Sequence, residues 1–234
     1  MGIEHFFDPH SIAIVGASRE PGKVGYKIFA AMRKAGFEGV LYPVNPKAEE
    51  IGGLRCFPNL KAIGAVPDLV VIVVAAKLVL PVIKECADLA VRSVVIISSG
   101  FKESGPEGAQ LEQELIRVAR GAGIRIIGPN CIGIMVPSKK INASFGGDLP
   151  AAGQIGFFSQ SGSLLAAIVD MAREWDLGFS KLVSIGNKAD IDELSMIRAL
   201  GEDAETRVIA GYLETIVDGD AFIRQAERIS RQKP

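Results

Sequence analysis

Apolar runs rich in Val and Ile recur through the first half of the chain, at Ser11–Val15, Val40–Val44, Leu69–Val74, Ser93–Ile97 and Arg125–Ile127. They do not alternate with polar residues, which predicts strands buried on both faces. Between them, helical spacing predicts helices over Tyr26–Ala35, with Ile28, Met32 and Ala35 on one side, over Leu78–Ala90 and over Pro106–Gly123. Gly36 and Gly123 fall where helix C-caps are expected. Strand, helix, strand at this rhythm gives right-handed βαβ units, so the predicted class is α/β with a Rossmann-like, doubly wound parallel sheet.

From Pro137 to Gly153 the chain carries Pro, Ser, Lys, Asn and Gly with little periodicity, which reads as a linker. A second βαβ series follows, with strands expected at Gln154–Phe158, Lys181–Ser184 and Arg207–Leu213 and helices at Ser161–Glu174, Ile191–Leu200 and Ala221–Ser230. The expected division is a first domain over residues 1–136, a linker over 137–153 and a second α/β domain over 154–234. Three strands make a thin sheet, and Arg231-Gln232-Lys233-Pro234 comes where a helix should turn into its next strand. The second domain is therefore expected to be incomplete and the chain end to be a truncation boundary.

With 234 residues, 48% of them hydrophobic and 23% charged, the chain can bury a proper core and is neither disordered nor collagen-like. Lys plus Arg (26) against Asp plus Glu (27) gives a formal net charge of -1, so no sequence-wide field favours nucleic acid or an anionic membrane. Any anionic ligand needs a local site. The most apolar stretch, Leu69–Ile83, is interrupted by Lys77 and Pro81 and falls short of the about 18 apolar residues of a spanning helix. No basic leader precedes it, and Cys56, Cys86 and Cys131 lack CxxC spacing. These features suggest a cytoplasmic protein without disulfides or structural metal.

The candidate chemistry lies at the carboxyl ends of predicted strands, where open α/β sheets bind ligands. The first strand runs into Gly16-Ala17-Ser18-Arg19-Glu20-Pro21-Gly22-Lys23-Val24-Gly25 and then a helix, a context in which backbone N–H groups hold phosphate. Its glycines could instead serve only tight strand-to-helix packing. The dinucleotide fingerprint fails, because Ser18 stands at its second glycine. Val44-Asn45-Pro46-Lys47 places an amide and an amine where a ribose-binding carboxylate would be, which suits a phosphate monoester better than NAD. Val74-Ala75-Ala76, Ile97-Ser98-Ser99-Gly100 and Gly128-Pro129-Asn130-Cys131 end the other strands with small residues that leave room for an extended ligand. Cys131 has no histidine nearby in sequence to activate it, so a packing role is favoured over a nucleophilic one.

In the second half, Phe158-Ser159-Gln160-Ser161-Gly162-Ser163 gathers hydroxyls and N–H groups at a helix start, a ready anion site that for Ser163 alone would be an ordinary N-cap. The turn superficially resembles a nucleophile elbow, but Ser159 replaces its first glycine and neither His5 nor His10 has a hydrolase triad's chain order. Gly186-Asn187-Lys188-Ala189-Asp190 and Tyr212-Leu213-Glu214-Thr215 close the remaining strands. Glu214 could orient an imidazole or act as a base, or be a solvated strand-end carboxylate.

Taken together, these motifs resemble the NDP-forming acyl-CoA synthetases, the family of ADP-forming acetate-CoA ligase and the succinyl-CoA synthetase α subunit, over almost the whole chain. Gly186-Asn187-Lys188-Ala189-Asp190 looks more like the acetate-CoA ligase branch. The resemblance implies a coenzyme A-binding first domain, with Gly16, Ser18, Lys23, Val24, Asn45 and Lys47 near the nucleotide end. Val74, Ser98, Ser99 and Gly100 then lie beside the body of the ligand, and Asn130 and Cys131 near the thiol. It implies a flavodoxin-like second domain that binds phosphate and the acyl group at Ser159, Gln160, Ser161, Gly162 and Asn187. An acyl phosphate would pass its phosphoryl group to a histidine supported by Glu214. The family's histidine lies downstream of the Glu214 strand, whereas His5 and His10 precede the first strand. The chain thus resembles the front of the enzyme, with ADP or ATP and Mg entering through an ATP-grasp part, and an oligomer is expected. The alternative from another class is a non-catalytic coenzyme A-binding or -sensing module, for example the front of a fused protein acetyltransferase.

Overall fold

The structure, a computed structural model, describes residues 2–234 and is α/β throughout. Its first half runs β1 (Ser11–Val15), α1 (Val24–Ala35), β2 (Val40–Val44), a small hairpin of β3 (Glu50–Ile51) and β4 (Leu54–Arg55), β5 (Leu69–Ile72), α2 (Ala76–Asp88), β6 (Ser93–Ile96), α3 (Pro106–Gly121) and β7 (Arg125–Ile127). Five of these strands form an all-parallel sheet in the order β2-β1-β5-β6-β7. The apolar runs behave as two-faced burial requires. Along β1, Ile12 and Ile14 join one core cluster while Ala13 joins the other, all three without exposed surface. Truncating Ile14 to Ala would cost about 2–5 kcal/mol, because such a site collapses only in part.

The second half comprises β8 (Gly133–Val136), β9 (Ile141–Ser144), β10 (Ala152–Ser159), α4 (Gly162–Glu174), β11 (Phe179–Ser184), α5 (Glu193–Glu202), β12 (Val208–Tyr212) and α6 (Gly219–Ser230). Its sheet is mixed, in the order β12-β10-β11-β8-β9, with β8 and β9 antiparallel to their neighbours. Five strands rather than the expected three build it. The two extra strands come from Gly133–Val136, assigned above to the first domain, and from Ile141–Ser144, assigned to the linker. The segment looked like a linker because β9 reads Ile-Asn-Ala-Ser, yet all four residues are buried. Asn142 Nδ2 donates to the Gly147 carbonyl oxygen at 3.0 Å and Ser144 Oγ to Asn142 Oδ1 at 2.7 Å, so the polar groups are satisfied internally.

This hairpin fixes how the two halves meet. Helix α1 of the first half packs against β9, and one buried cluster runs unbroken from Ile14 and Met32 through Ile134 and Ile141 to Val183. Lys34 Nζ reaches Asp148 Oδ1 at 2.6 Å, and Lys140 pairs with Glu38, adding exposed ties across the same seam. Among the described residues no helix is long and apolar enough to cross a membrane.

Candidate functional site

In each sheet the chain reverses its direction of winding at one place. In the first sheet, β1 leads outward to β2 and the chain then returns to β5 on the other side of β1; in the second, β10 leads to β11 and then back to β12. Ligands bind where strand order reverses in this way, in the crevice beyond the strands' carboxyl ends. Here both crevices open into a single cleft of about 910 Å³, walled by Gly16, Val73 and Val74 on one side and by Gln160 and Glu214 on the other.

At the first crevice the backbone comes close to itself. Gly16 has φ of +95°, and a Cβ there would stand 2.5 Å from the Val73 carbonyl oxygen; one on Gly25 would stand 1.9 Å from the Gly16 oxygen. Only glycine lets α1 begin directly over the end of β1. The start of α1 has no side-chain cap, and Lys23, Val24 and Gly25 at that start line the cleft. Ser18 Oγ accepts from Glu20 N at 3.0 Å and shapes the turn. Asn45 is also used locally: its Nδ2 donates to the Ala17 carbonyl oxygen at 2.7 Å and its Oδ1 accepts from Lys47 N at 2.9 Å. Lys47 lines the same end and pairs with no carboxylate among the described residues.

At the second crevice, Ser159 Oγ accepts from Ser161 N at 3.1 Å and donates to the Ser161 carbonyl oxygen at 2.7 Å, which folds the turn. Ser161 caps α4 by accepting from Leu164 N at 3.3 Å. The N–H groups of Gly162 and Ser163 are left at the open helix start, an arrangement that favours an anion. Glu214 lines the same end of the cleft. Its backbone is held by Gln160, whose Oε1 accepts from Glu214 N at 3.0 Å and Thr215 N at 3.1 Å.

Between the two ends, Asn130 and Cys131 form the floor. Burial pushes the Cys131 thiol up to about 12, and its Sγ donates toward the Ile96 carbonyl oxygen at 3.3 Å. Asn130 Nδ2 donates to Asn187 Oδ1 at 3.3 Å. Asn187 is itself clamped, with Nδ2 donating to Glu103 Oε2 at 2.6 Å and Glu112 Oε2 at 2.8 Å, while Lys102 Nζ donates to its carbonyl oxygen. Burial raises the Glu103 carboxyl, but hydrogen bonds from Asn187 and from the Gly100 and Phe101 N–H groups outweigh it and hold the group below its ordinary value.

Of the sequence-expected residues, Gly16, Ser18, Lys23, Val24, Asn45 and Lys47 line the end at the first crevice, Val74, Ser98, Ser99, Asn130 and Cys131 the middle, and Gln160, Ser161, Gly162 and Glu214 the end at the second crevice. Three do not line it. Gly100 turns its N–H to Glu103 Oε1 at 2.6 Å, Ser159 is fully buried beneath the turn, and Asn187 sits behind Asn130. Ser98 lines the wall with its hydroxyl already donated to the Val74 carbonyl oxygen at 2.5 Å. Neither histidine is present: His5 and His10 line a separate hollow with Asp68 and Arg92, at the amino ends of β1 and β6.

Sequence reasoning missed Ile132 and Phe145, which give the cleft an apolar wall beside Gly162, and the buried pair Lys188–Glu193. Phe145 follows β9 in the apparent linker, where no periodicity marked it. The charges of Lys188 and Glu193, five residues apart in a loop and a helix start, carried no signal that both would be buried.

Comparison with known proteins bears on the whole arrangement. The family model described as "CoA binding domain" matches residues 10–137, and that described as "Succinyl-CoA ligase like flavodoxin domain" matches residues 152–234. Acetate–CoA ligase [ADP-forming] I of Archaeoglobus fulgidus is 43% identical over 99% of this chain and 34% of its own length. Acetate–CoA ligase [ADP-forming] II subunit alpha of Pyrococcus furiosus is 41% identical over 99% of this chain and 50% of its own. Among solved structures, the dinucleotide-forming acetyl-coenzyme A synthetase 1 of Ca. Korarchaeum cryptofilum, in complex with phosphate and ADP, superposes with a TM-score of 0.95 at 40% identity, over 99% of this chain and 50% of that one. The chain thus spans between a third and a half of the length of these relatives.

Proposed function

We infer function from the family to which this chain belongs, the NDP-forming acyl-CoA synthetases, whose CoA-binding domain and succinyl-CoA-ligase-like flavodoxin domain it carries in that order. The chain binds coenzyme A with the nucleotide end at the Ser18–Gly25 turn and Lys47, the body beside Val74, Ser98 and Ser99, and the thiol near Asn130 and Cys131. Phosphate and the acyl group occupy the start of α4 at Ser161 and Gly162. One observation carries this function: a single cleft joins Lys47, a cation that pairs with no carboxylate among the described residues and suits a phosphate monoester, to an open helix start suited to inorganic phosphate.

The reaction proposed for the whole enzyme interconverts acyl-CoA, phosphate and ADP with carboxylic acid, coenzyme A and ATP. A phosphate oxygen attacks the thioester carbonyl, the C–S bond breaks, and coenzyme A leaves as the acyl phosphate forms. The Gly162 and Ser163 N–H groups stabilise the charge on the phosphate and on the developing oxyanion; loss of one such donor typically costs about 2.7–4 kcal/mol of barrier. The phosphoryl group then passes to a histidine supplied from outside this chain and oriented by Glu214, the acyl oxygen leaving as carboxylate. From there it passes to ADP on an ATP-grasp domain or subunit, which also brings Mg. An imidazole suits this task because a nitrogen of near-neutral pKa can accept and release the group. We place the enzyme in the cytoplasm, expect it to be oligomeric, and propose a first domain over residues 1–136, a connecting segment over 137–153 and a second domain over 154–234.

The position of His5 and His10 away from the cleft also favours a second reading, a coenzyme A-binding or -sensing module without turnover. Incubation with acetyl-CoA and labelled phosphate separates the two. This chain alone should yield neither acid-labile phosphoprotein nor, on adding ADP, ATP. The whole enzyme, with its ATP-grasp part, should yield both. Phosphohistidine on this chain alone would overturn the placement of the carrier outside it, and no ATP from the whole enzyme would favour the binding module.

A further inference from the structure

Lys188 and Glu193 form an ion pair at 2.7 Å with side chains only 3% and 0% exposed. Both also grip one short loop. Lys188 Nζ donates to the Thr215 carbonyl oxygen at 2.6 Å, and Glu193 Oε1 accepts from Val217 N at 2.6 Å. That loop begins at Glu214, whose N–H and that of Thr215 are held from the other side by Gln160. Three side chains from three separate segments therefore hold backbone groups from the Glu214 N–H to the Val217 N–H, although the loop is exposed, with Ile216 and Val217 46% and 68% exposed.

A buried ion pair is a poor stabiliser, since desolvating two charges offsets most of their attraction and apolar residues of similar volume commonly serve stability as well or better. Stability therefore leaves this pair unexplained, whereas its two backbone contacts do not. Glu193 opens α5, where the helix's positive end favours a carboxylate, and Lys188 takes a left-handed backbone (φ 56°) in the turn after β11. The charges are placed so that one meets a carbonyl and the other an N–H two residues apart.

We propose that the Lys188–Glu193 pair is a positioning clamp that sets the Glu214 carboxylate in the cleft by locking the Thr215–Val217 backbone. This rests on the role given to Glu214 in the proposed function. Neither residue lines the cleft; both act through the loop.

The test compares Lys188→Met/Glu193→Met, which removes both charges and both contacts, with Lys188→Met/Glu193→Gln, which keeps an uncharged acceptor for Val217 N. Amide hydrogen exchange at Val217, melting temperature, and kcat and KM for coenzyme A in the whole enzyme are measured. The first variant should melt no lower than wild type and keep its KM, while Val217 exchanges about tenfold faster or more and kcat falls about tenfold or more. The glutamine variant should recover Val217 protection and most of kcat. Wild-type exchange and kcat in the methionine variant, or a glutamine variant no better than it, would overturn the clamp. So would a joint fall of melting temperature, kcat and coenzyme A affinity, which a merely structural role gives. Glu214→Gln in the wild-type background separates the two ideas: full activity there refutes the role of Glu214, while exchange at Val217 still decides the clamp.

Discussion

Gln160, at the end of β10, accepts a hydrogen bond from the backbone N–H of Glu214, beyond the end of β12, at 3.0 Å. One amide side chain thus bridges the two strands between which the second sheet reverses. Gln160→Leu removes acceptors from two neighbouring N–H groups, but water can replace them at this exposed position. We expect a loss of only about 0.5–1.5 kcal/mol in denaturant unfolding. Phosphate affinity should fall alongside it. An unchanged affinity with the same loss of stability would make the bridge purely structural.

Lys181, almost buried, meets Asp203 at 2.5 Å, and Thr206 Oγ1 donates to the same carboxylate at 2.6 Å. Burial alone raises the Asp203 carboxyl, but the hydrogen bonds from Lys181 and Thr206 and the lysine's charge outweigh it and hold the group below its ordinary 3.8. A carboxyl depressed in the folded state contributes stability that is fully present above its unfolded pKa and lost as pH falls through the folded one. Asp203→Asn should therefore melt below wild type at neutral pH, with the gap closing as pH drops below the ordinary 3.8. A gap that stays constant or widens in acid would contradict this.

Cys131 lies on the cleft floor, yet its thiol is pushed up to about 12 by burial. At pH 7 the thiolate fraction is on the order of 10⁻⁵, far below that of a reactive cysteine. Iodoacetamide at neutral pH should leave Cys131 unmodified in the folded protein and alkylate it after unfolding, as read by peptide mass spectrometry. Rapid modification of the folded protein would place a thiolate in the cleft.

Lys47 lines the cleft beside Gly16, Ser18 and Asn45. If its amine meets the phosphate monoester, Lys47→Ala should weaken coenzyme A by about 1–3 kcal/mol, the worth of a charged hydrogen bond, and leave dephospho-coenzyme A nearly unaffected. Equal losses for both ligands would remove Lys47 from that contact.

Much of this was legible because burial writes itself into composition. Val70, Val71, Val94 and Val95 are buried on both faces of their sheet, and their unbroken apolar runs announced it. Asn45 in place of a carboxylate was readable too, since a ribose contact depends on residue type at a known strand end. Asn142 and Ser144 were not, because polar side chains that satisfy each other in a buried strand look the same in sequence as solvated ones. Asn187 does not line the cleft where it was expected, because spacing carries no information on whether an amide faces a cleft or backs onto Glu103 and Glu112. The same limit hid Lys188 and Glu193, whose meaning lies in backbone groups more than 20 residues away.

Calorimetric titration of this chain with coenzyme A and, separately, with NAD tests the central claim most directly. The cleft has Ser18 where a dinucleotide site has glycine, and Asn45 and Lys47 where it has a carboxylate. Coenzyme A should bind and NAD should bind far more weakly. NAD binding as tight as coenzyme A, or no heat from coenzyme A at millimolar concentration, would contradict the account.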